Sequence, residues 1–350
     1  MKILSINGKV GNPVVHKNPK DPAAQFGNLR NANAKLKKRY KNIKSGVRGL
    51  VNTFNPMLVS TNGSYHEFNT ELVDGVFITT NGKLLTNKSV YEYQIDSAKF
   101  DSINLYLQGL LNTELLDDNQ GDLTRRWWLN ANLITAYEDG TADTLQSAKN
   151  IATADIVGQD ISQQVRGFTL ESIVLSPQFQ SRVGLVQSRV FENMKGLTGS
   201  TKSDLADTLA RGMSSGKGIR ALTKDVMKRI DVSQARAKRI ARTETLNSYR
   251  TATSQETDAL NESVYDDSEW HMVPLWFSAL GPTTRNNHAS KHGSTYTTQQ
   301  VKDFYSIDGN AINCLCSQSP VLANKKTGEI LQEALQKRMI KKKDIWQKLN

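Results

Sequence analysis

SQARAKRIARTETLNSYRTATSQETDAL, Ser233 to Leu260, is the stretch whose reading decides the fold. It contains neither Pro nor Gly, and Ser233 after Asp231-Val232 reads as an N-cap, so the pattern predicts a helix of about seven turns. At about 100° per residue, Ala237, Ile240, Ala241 and Ala252 share a face with Glu244, Ser248 and Gln255. Arg239, Arg242 and Arg250 lie across from it, with Arg236 and Lys238 on the flanks. A small-residue face that carries a carboxylate, a hydroxyl and an amide has to supply partners for them when it is buried. A cation is therefore expected against Glu244.

Two shorter blocks follow downstream: WFSALGPTTRNNHASKHG, Trp276 to Gly293, and then Asn313-Cys314-Leu315-Cys316. Taken in order, Arg236, Ala237, Ile240, Ala241, Arg242, Thr243 and Glu244, then Trp276, Thr284, Arg285, His288 and Gly293, then Asn313, Cys314 and Cys316 resemble the phage head morphogenesis family, the minor head proteins related to phage Mu protein F. The resemblance spans about residues 165 to 323. Where the family carries an acidic residue shortly before the Thr-Arg pair, this chain has Gly281-Pro282-Thr283. The resemblance implies a structural motif made of Arg242, Thr243, Glu244, Arg285 and His288. Within it, Arg285 is the expected partner of Glu244, locking the long helix onto the 276–293 block.

The rest of the chain of 350 residues divides around this core. Residues 1–56 read as a basic N-terminal arm followed by a helix. Twelve Lys and Arg stand against one acid in the first fifty residues. Pro13, Pro19 and Pro22 favour extended chain. Leu36, Tyr40, Ile43, Val47 and Leu50 then recur at helical spacing among Lys35, Lys37, Lys38, Arg39, Lys41, Lys44 and Arg48. Those cations are the candidate surface for an acidic partner or for nucleic-acid phosphate. Residues 57–96 are β-rich, with Asn81-Gly82 as the hairpin turn and Asn62-Gly63 as another turn before it. Residues 97–265 form a helical body. Ile103, Leu107, Leu110, Leu111 and Leu115 mark one helix in it, and 122–152 a long helix or helical pair, inside which Trp127 and Trp128 read as core rather than as a platform for stacking on bases. Two more helices are expected at 176–197 and 201–213, and another at 219–230. Residues 266–323 form a compact α+β part, with Trp270, Val273, Leu275 and Phe277 alternating as in a strand. Residues 324–350 are a basic amphipathic helix with Leu331, Leu335, Met339, Trp346 and Leu349 on one stripe, suited to a partner groove. The fold class is thus mainly α with a small β element: a helical body and a compact C-terminal α+β domain.

No apolar run is long enough for a transmembrane helix, and no signal peptide opens the chain, so no membrane partner is expected. Two cysteines only two positions apart staple nothing together, which fits synthesis in the host cytoplasm. His288, His292, Cys314 and Cys316 are the candidate metal ligands, a Cys₂His₂ set of the kind zinc takes. Against zinc, a Cys-x-Cys spacing is tighter than usual. The other reading packs the thiols as small hydrophobes beside a hydrogen-bonded His288, with no cofactor. HExxH, GxSxG and Walker motifs are missing, and Gly216-Lys217-Gly218 reads as a helix start rather than a phosphate loop. An enzyme is therefore not expected. The family resemblance implies a structural virion protein at the head or portal vertex, associated with portal, major capsid or scaffold protein. Double-stranded DNA is a further partner on that reading. The alternatives are a DNA-binding internal or ejected virion protein and a particle-borne enzyme such as a nuclease or transferase effector.

Overall fold

In a computed structural model, residues 11–73, 76–117, 127–307 and 309–349 are described, with the side chains of 62–88 left aside. The fold class holds: helices dominate, beside two antiparallel two-stranded sheets. In chain order the elements are α1 (Phe26–Asn52), β1 (Met57–Val73), β2 (Val76–Glu92), α2 (Ser97–Leu116) and α3 (Asn130–Ile151). There follow three short helices, α4 (Ala154–Val157), α5 (Gln159–Gly167) and α6 (Leu170–Val174), and then α7 (Pro177–Ser214) and α8 (Ile219–Ser263). The chain closes with β3 (Trp270–Phe277), α9 (Asn286–Ala289), α10 (Thr298–Ser306), β4 (Ser317–Asn324) and α11 (Glu333–Leu349).

Two compact units are built from interleaved segments. One comprises Met1–Ala32, Leu129–Val190 and Arg239–Asn350; the other comprises Asn33–Trp128 and Phe191–Lys238. Helices α1, α7 and α8 each contribute residues to both.

Helix α8 starts fourteen residues before the expected N-cap. Ser233 is an interior residue, and its hydroxyl bonds Tyr40 OH and Thr201 Oγ1, each at 2.7 Å. With 45 residues, the helix is about 68 Å long. Its true start follows Gly216, whose φ of +71° suits glycine, and Gly218. Lys217 between them pairs with Asp225 at 2.8 Å, as a helix start rather than a phosphate loop would have it. The expected break between 197 and 201 is likewise bridged. Gly196 and Gly199 each cost about 1 kcal/mol against Ala in a helix. Burial of Val190, Met194, Leu197, Leu205 and Leu209 along α7 outweighs that.

Helix α1 corrects the reading of an arm. Leu36, Tyr40, Ile43 and Val47 are all buried, so from Phe26 onward the chain belongs to the fold. Three of the seven candidate cations are taken up internally. Arg39 makes a two-pronged contact with Asp117, Lys44 meets Asp231 at 2.5 Å, and Lys35 donates to Trp128 O. Lys37, Lys38, Lys41 and Arg48 stay exposed. The β element is one long ribbon. Its register closes at Val73↔Val76, so Asn81-Gly82 is no turn: it coincides with the register shift between Glu67↔Lys83 and Asn69↔Thr80. Asn62-Gly63 lies at another shift, between Ser60↔Val90 and Gly63↔Lys88. Both Asn-Gly pairs mark bulges, which such residues serve as readily as turns. The helix expected from 122 begins at Asn130 within the described residues, and its expected first turns at 122–126 lie outside them.

In the first unit, β3 and β4 pair from Trp270↔Asn324 to Phe277↔Ser317. The middle of the apolar stripe of α11 is consumed by this sheet, while Leu349 at its end is exposed. Leu335 and Met339 join Leu275, Phe277, Val321 and Ala323 in one core, and Trp346 donates to Gly281 O at 3.2 Å. The groove expected for that helix is thus supplied by its own chain. Ile345 remains exposed on its outer side.

Candidate functional site

Three segments of the first unit converge where the motif residues lie: α8 around Thr243–Arg250, the turn and short helix 278–292, and the loop 309–316 that leads into β4. Three of the motif's polar side chains, Thr243, Arg285 and His288, join one of these segments to another. Thr243 Oγ1 accepts from Asn313 N–H at 3.1 Å. Asn313 itself has a φ of +55°, a conformation that Asn tolerates better than most residues. Arg285 is the N-cap residue of α9, and its guanidinium donates to Gly309 O, Asn310 O and Ile312 O at 2.7–3.1 Å. Asn287 adds a bond to Asn310 Oδ1 at 3.0 Å.

Glu244 is buried as expected, but its partner is Arg189 of α7 (2.7 Å), not Arg285. The face logic was sound; the cation came from a helix that the motif does not include. Arg242 is half-buried, and its Nε lies buried without a hydrogen bond. Arg250, placed across from the polar face by periodicity, is only 4% exposed. It donates to the carbonyls of Cys314 (3.3 Å) and Cys316 (3.2 Å), and to Asn247 Oδ1. Its guanidinium also lies 4.3 Å over the Tyr305 ring. From Ala241 to Thr257 this helix is enclosed on nearly every side, so no solvent face exists there for Arg250 to take.

His288, Cys314 and Cys316 come together; His292 does not join them. His288 Nδ1 lies 3.3 Å from Cys314 Sγ and 3.6 Å from Cys316 Sγ, and all three residues are buried. Cys316 Sγ is 3.6 Å from Ser278 Oγ, whose hydroxyl donates to His288 O at 2.6 Å. Trp276, Phe304 and Tyr305 wall the cluster. The Trp276 and Tyr305 rings stack at 5.3 Å, and the His288 ring meets the edge of Phe304 at 4.9 Å. Cys314 Sγ is the focus of several polar contacts: it accepts from Cys316 N–H at 3.3 Å and also meets His288 Nδ1 and Tyr305 OH, the latter at 3.7 Å. The hydrogen bond from the Cys316 thiol, then those from His288 and the charge of Arg250, hold the Cys314 thiol below its ordinary range despite burial. Giving that bond, together with burial, pushes the Cys316 thiol up. Tyr305 is pushed up chiefly by burial.

The three atoms suit three corners of a zinc tetrahedron, whose ligand atoms stand roughly 3.5–3.8 Å apart. The fourth corner is lacking. His292 turns Nδ1 to Ser278 N–H (3.0 Å), and among the described residues only three such ligands cluster. A structural zinc needs four protein ligands, and an open-cornered site needs access that this buried cluster does not give. Among the described residues the cluster thus offers three of the four ligands of a structural zinc site, and its contacts are also those of a hydrogen-bonded thiol pair facing Arg250. Sequence reasoning missed Arg189, Arg250, Ser278 and Tyr305. Arg250 and Ser278 lay within the quoted stretches, where a signal could have drawn attention, and periodicity pointed Arg250 outward.

The geometry is that of an interlock between three separated stretches of sequence, and comparison with known proteins bears on the same stretches. Residues 203–319 match the family of phage Mu protein F like proteins. The phage Mu protein F like segment takes in Thr243, Glu244, Arg250, Arg285, His288, Cys314 and Cys316, and it covers about a third of the chain. It begins later than the resemblance read from the sequence, within α7. No curated protein and no solved structure matches the chain.

Proposed function

We propose that this protein is a structural component of a phage head that acts in head morphogenesis through contacts with portal, major capsid or scaffold proteins. The observation that carries this reading is the use made of the motif. Within the phage Mu protein F like segment, Thr243, Arg250, Arg285 and His288 are engaged with backbone carbonyls, an amide and thiols of the same unit. They build a rigid body to be displayed and are not arranged around an open reaction centre. Among the described residues no helix is long and apolar enough to cross a membrane. Exposed apolar side chains such as Leu105, Leu175 and Leu185 offer places for protein contacts. Cross-linking mass spectrometry on purified heads tests the proposal, with links expected to portal or shell protein. Absence of the chain from heads, or normal heads assembled without it, would overturn it.

A second reading, binding of double-stranded DNA, is favoured by Lys37, Lys38, Lys41 and Arg48, which remain exposed on α1. Four phosphate contacts would give a slope of about −4 for log affinity against log salt concentration. A flat salt response would dispose of it.

A further inference from the structure

A cavity of the first unit lies beside the motif cluster, and Ser278 borders both. It has a volume of about 580 Å³ and is walled by the strap of residues 12–22, by Phe277–Leu280 and by α11. That is within the size range of small-ligand sites, about 300–1,000 Å³. The strap is fastened rather than loose. Val14 N–H donates to Ser147 Oγ at 2.9 Å, Ser319 Oγ donates to Val14 O at 3.1 Å, and His16 meets Asp143 at 2.7 Å. The walls are mainly apolar, with Val15, Phe277, Leu335 and Met339 among them.

Two features give this cavity a chemical preference. The first is its charge: Lys17, Arg338 and Lys342 line it, and among the described residues no Asp or Glu does. Arg338 and Lys342 are exposed and stand one turn apart on α11. The second is His292, which lines the cavity and is 6% exposed. Its Nδ1 accepts from Ser278 N–H, so the neutral ring carries its proton on Nε2, and that nitrogen is buried without a partner. A buried donor left unmade costs about 1–3 kcal/mol, and a ligand oxygen accepting from it would recover that. Burial, with Lys342 and Lys343 nearby, holds the imidazole down to about 4, so near neutral pH it is this uncharged donor.

We propose that this cavity is a binding site for an apolar ligand that carries a carboxylate, with His292 Nε2–H and the cations of α11 receiving the oxygens and the strap and α11 covering the apolar body. The inference stands apart from the head assignment. Either a free carboxylic acid or the C-terminal end of another polypeptide supplies this chemistry, and the test separates the two.

The full chain is titrated by calorimetry with octanoate, with N-acetyl-leucyl-leucine as a model chain end, and with octanol as the neutral control. Saturable binding is expected for at least one carboxylate, on the order of tenfold tighter than octanol, with NOEs from the probe to the methyl groups of Val15 and Met339. The tighter of the two carboxylates identifies the source. The surface variant R338E/K342E, which leaves the core untouched, is expected to weaken carboxylate binding on the order of tenfold and to leave octanol unchanged. No saturable binding by either carboxylate, octanol binding as tightly as they do, or indifference to R338E/K342E would each overturn the proposal.

Discussion

The guanidinium of Arg250 lies 4.3 Å over the Tyr305 ring and donates to the carbonyls on either side of Leu315, those of Cys314 and Cys316. Among the described residues no carboxylate pairs with this buried cation; beside it lies the Cys314 sulfur, whose thiol the Cys316 and His288 hydrogen bonds and then the charge of Arg250 hold below its ordinary range. Losing one member of such a pair strands the other. Cys314→Ser, close in shape but un-ionised, is expected to destabilise the protein by about 3 kcal/mol, and Arg250→Lys, which loses the fork and the stacking, by a similar amount. Urea denaturation checks both. A Cys314→Ser protein as stable as the parent would show that the sulfur bears no charge.

The same reading makes the cluster independent of metal. Purified protein is expected to hold no stoichiometric zinc by elemental analysis, and a chelator should leave its melting temperature in place. Both thiols should react only slowly with a thiol reagent until the protein is unfolded, because both are buried. One zinc per chain, lost on Cys316→Ser, would replace the hydrogen-bonded cluster with a metal-bound one.

Arg189 and Glu244 form an uneven pair: the Glu244 side chain is 9% exposed and that of Arg189 is 51% exposed. Solvent at the arginine end screens the attraction. A double-mutant cycle with Arg189→Ala and Glu244→Ala is expected to give a coupling of about 0.5–1 kcal/mol. The corresponding cycle with Arg285→Ala should give none, since Arg285 is committed to the 309–312 turn. Coupling to Arg285 would restore the pairing expected from the sequence.

What could be read in advance follows from how local each signal was. The stripes of α1, α2 and α11 were legible because a period of 3.6 needs only the segment itself, and Leu36, Leu107 and Leu335 are buried where it put them. Which surface covers a stripe is a long-range property. That is why α1 and α11, read as reaching for partners, are covered by their own chain. Boundaries failed for a related reason. Ser233 has the chemistry of a cap, and Gly196 and Gly199 that of a break, but packing carried both helices through. The motif residues were nameable from their order, yet the pairing of Glu244 with Arg189 joins helices 55 positions apart, beyond any spacing rule.

At Gly140, α3 and α8 approach closely. A β-carbon placed there would lie 2.4 Å from Tyr249 O and 3.0 Å from the Ala252 Cβ. Because the first obstacle is backbone, no rotamer change relieves it. Gly140→Ala should therefore destabilise the protein by about 1–3 kcal/mol, against the small gain expected for Ala in an exposed helix. A rise in melting temperature would mean that the helices part easily at this point.

His292 gives a pH dependence whose sign can be worked out. Burial first, then the charges of Lys342 and Lys343, depress its folded-state value from 6.5 to about 4, while the bond from Ser278 N–H works weakly the other way. Above pH 6.5 the ring is neutral in both states, and its contribution is fully present. As pH falls from 6.5 toward 4 the unfolded chain takes up the proton and the folded one resists, so stability is lost across that window. Below about 4 both states are protonated and the loss levels off. A depression of this size corresponds to a fall of about 3 kcal/mol. His16 acts in the opposite sense, because its hydrogen bond with Asp143 raises its value and its contribution declines as pH rises. The informative quantity is therefore a difference. The unfolding free energy of the parent minus that of His292→Gln, followed from pH 7.5 down to pH 4, should fall by this amount, with most of the change below pH 6.5. A difference that stays flat across the window would mean that the ring is solvated or ion-paired in the folded protein, and would remove the uncharged donor on which the cavity's preference for a carboxylate rests.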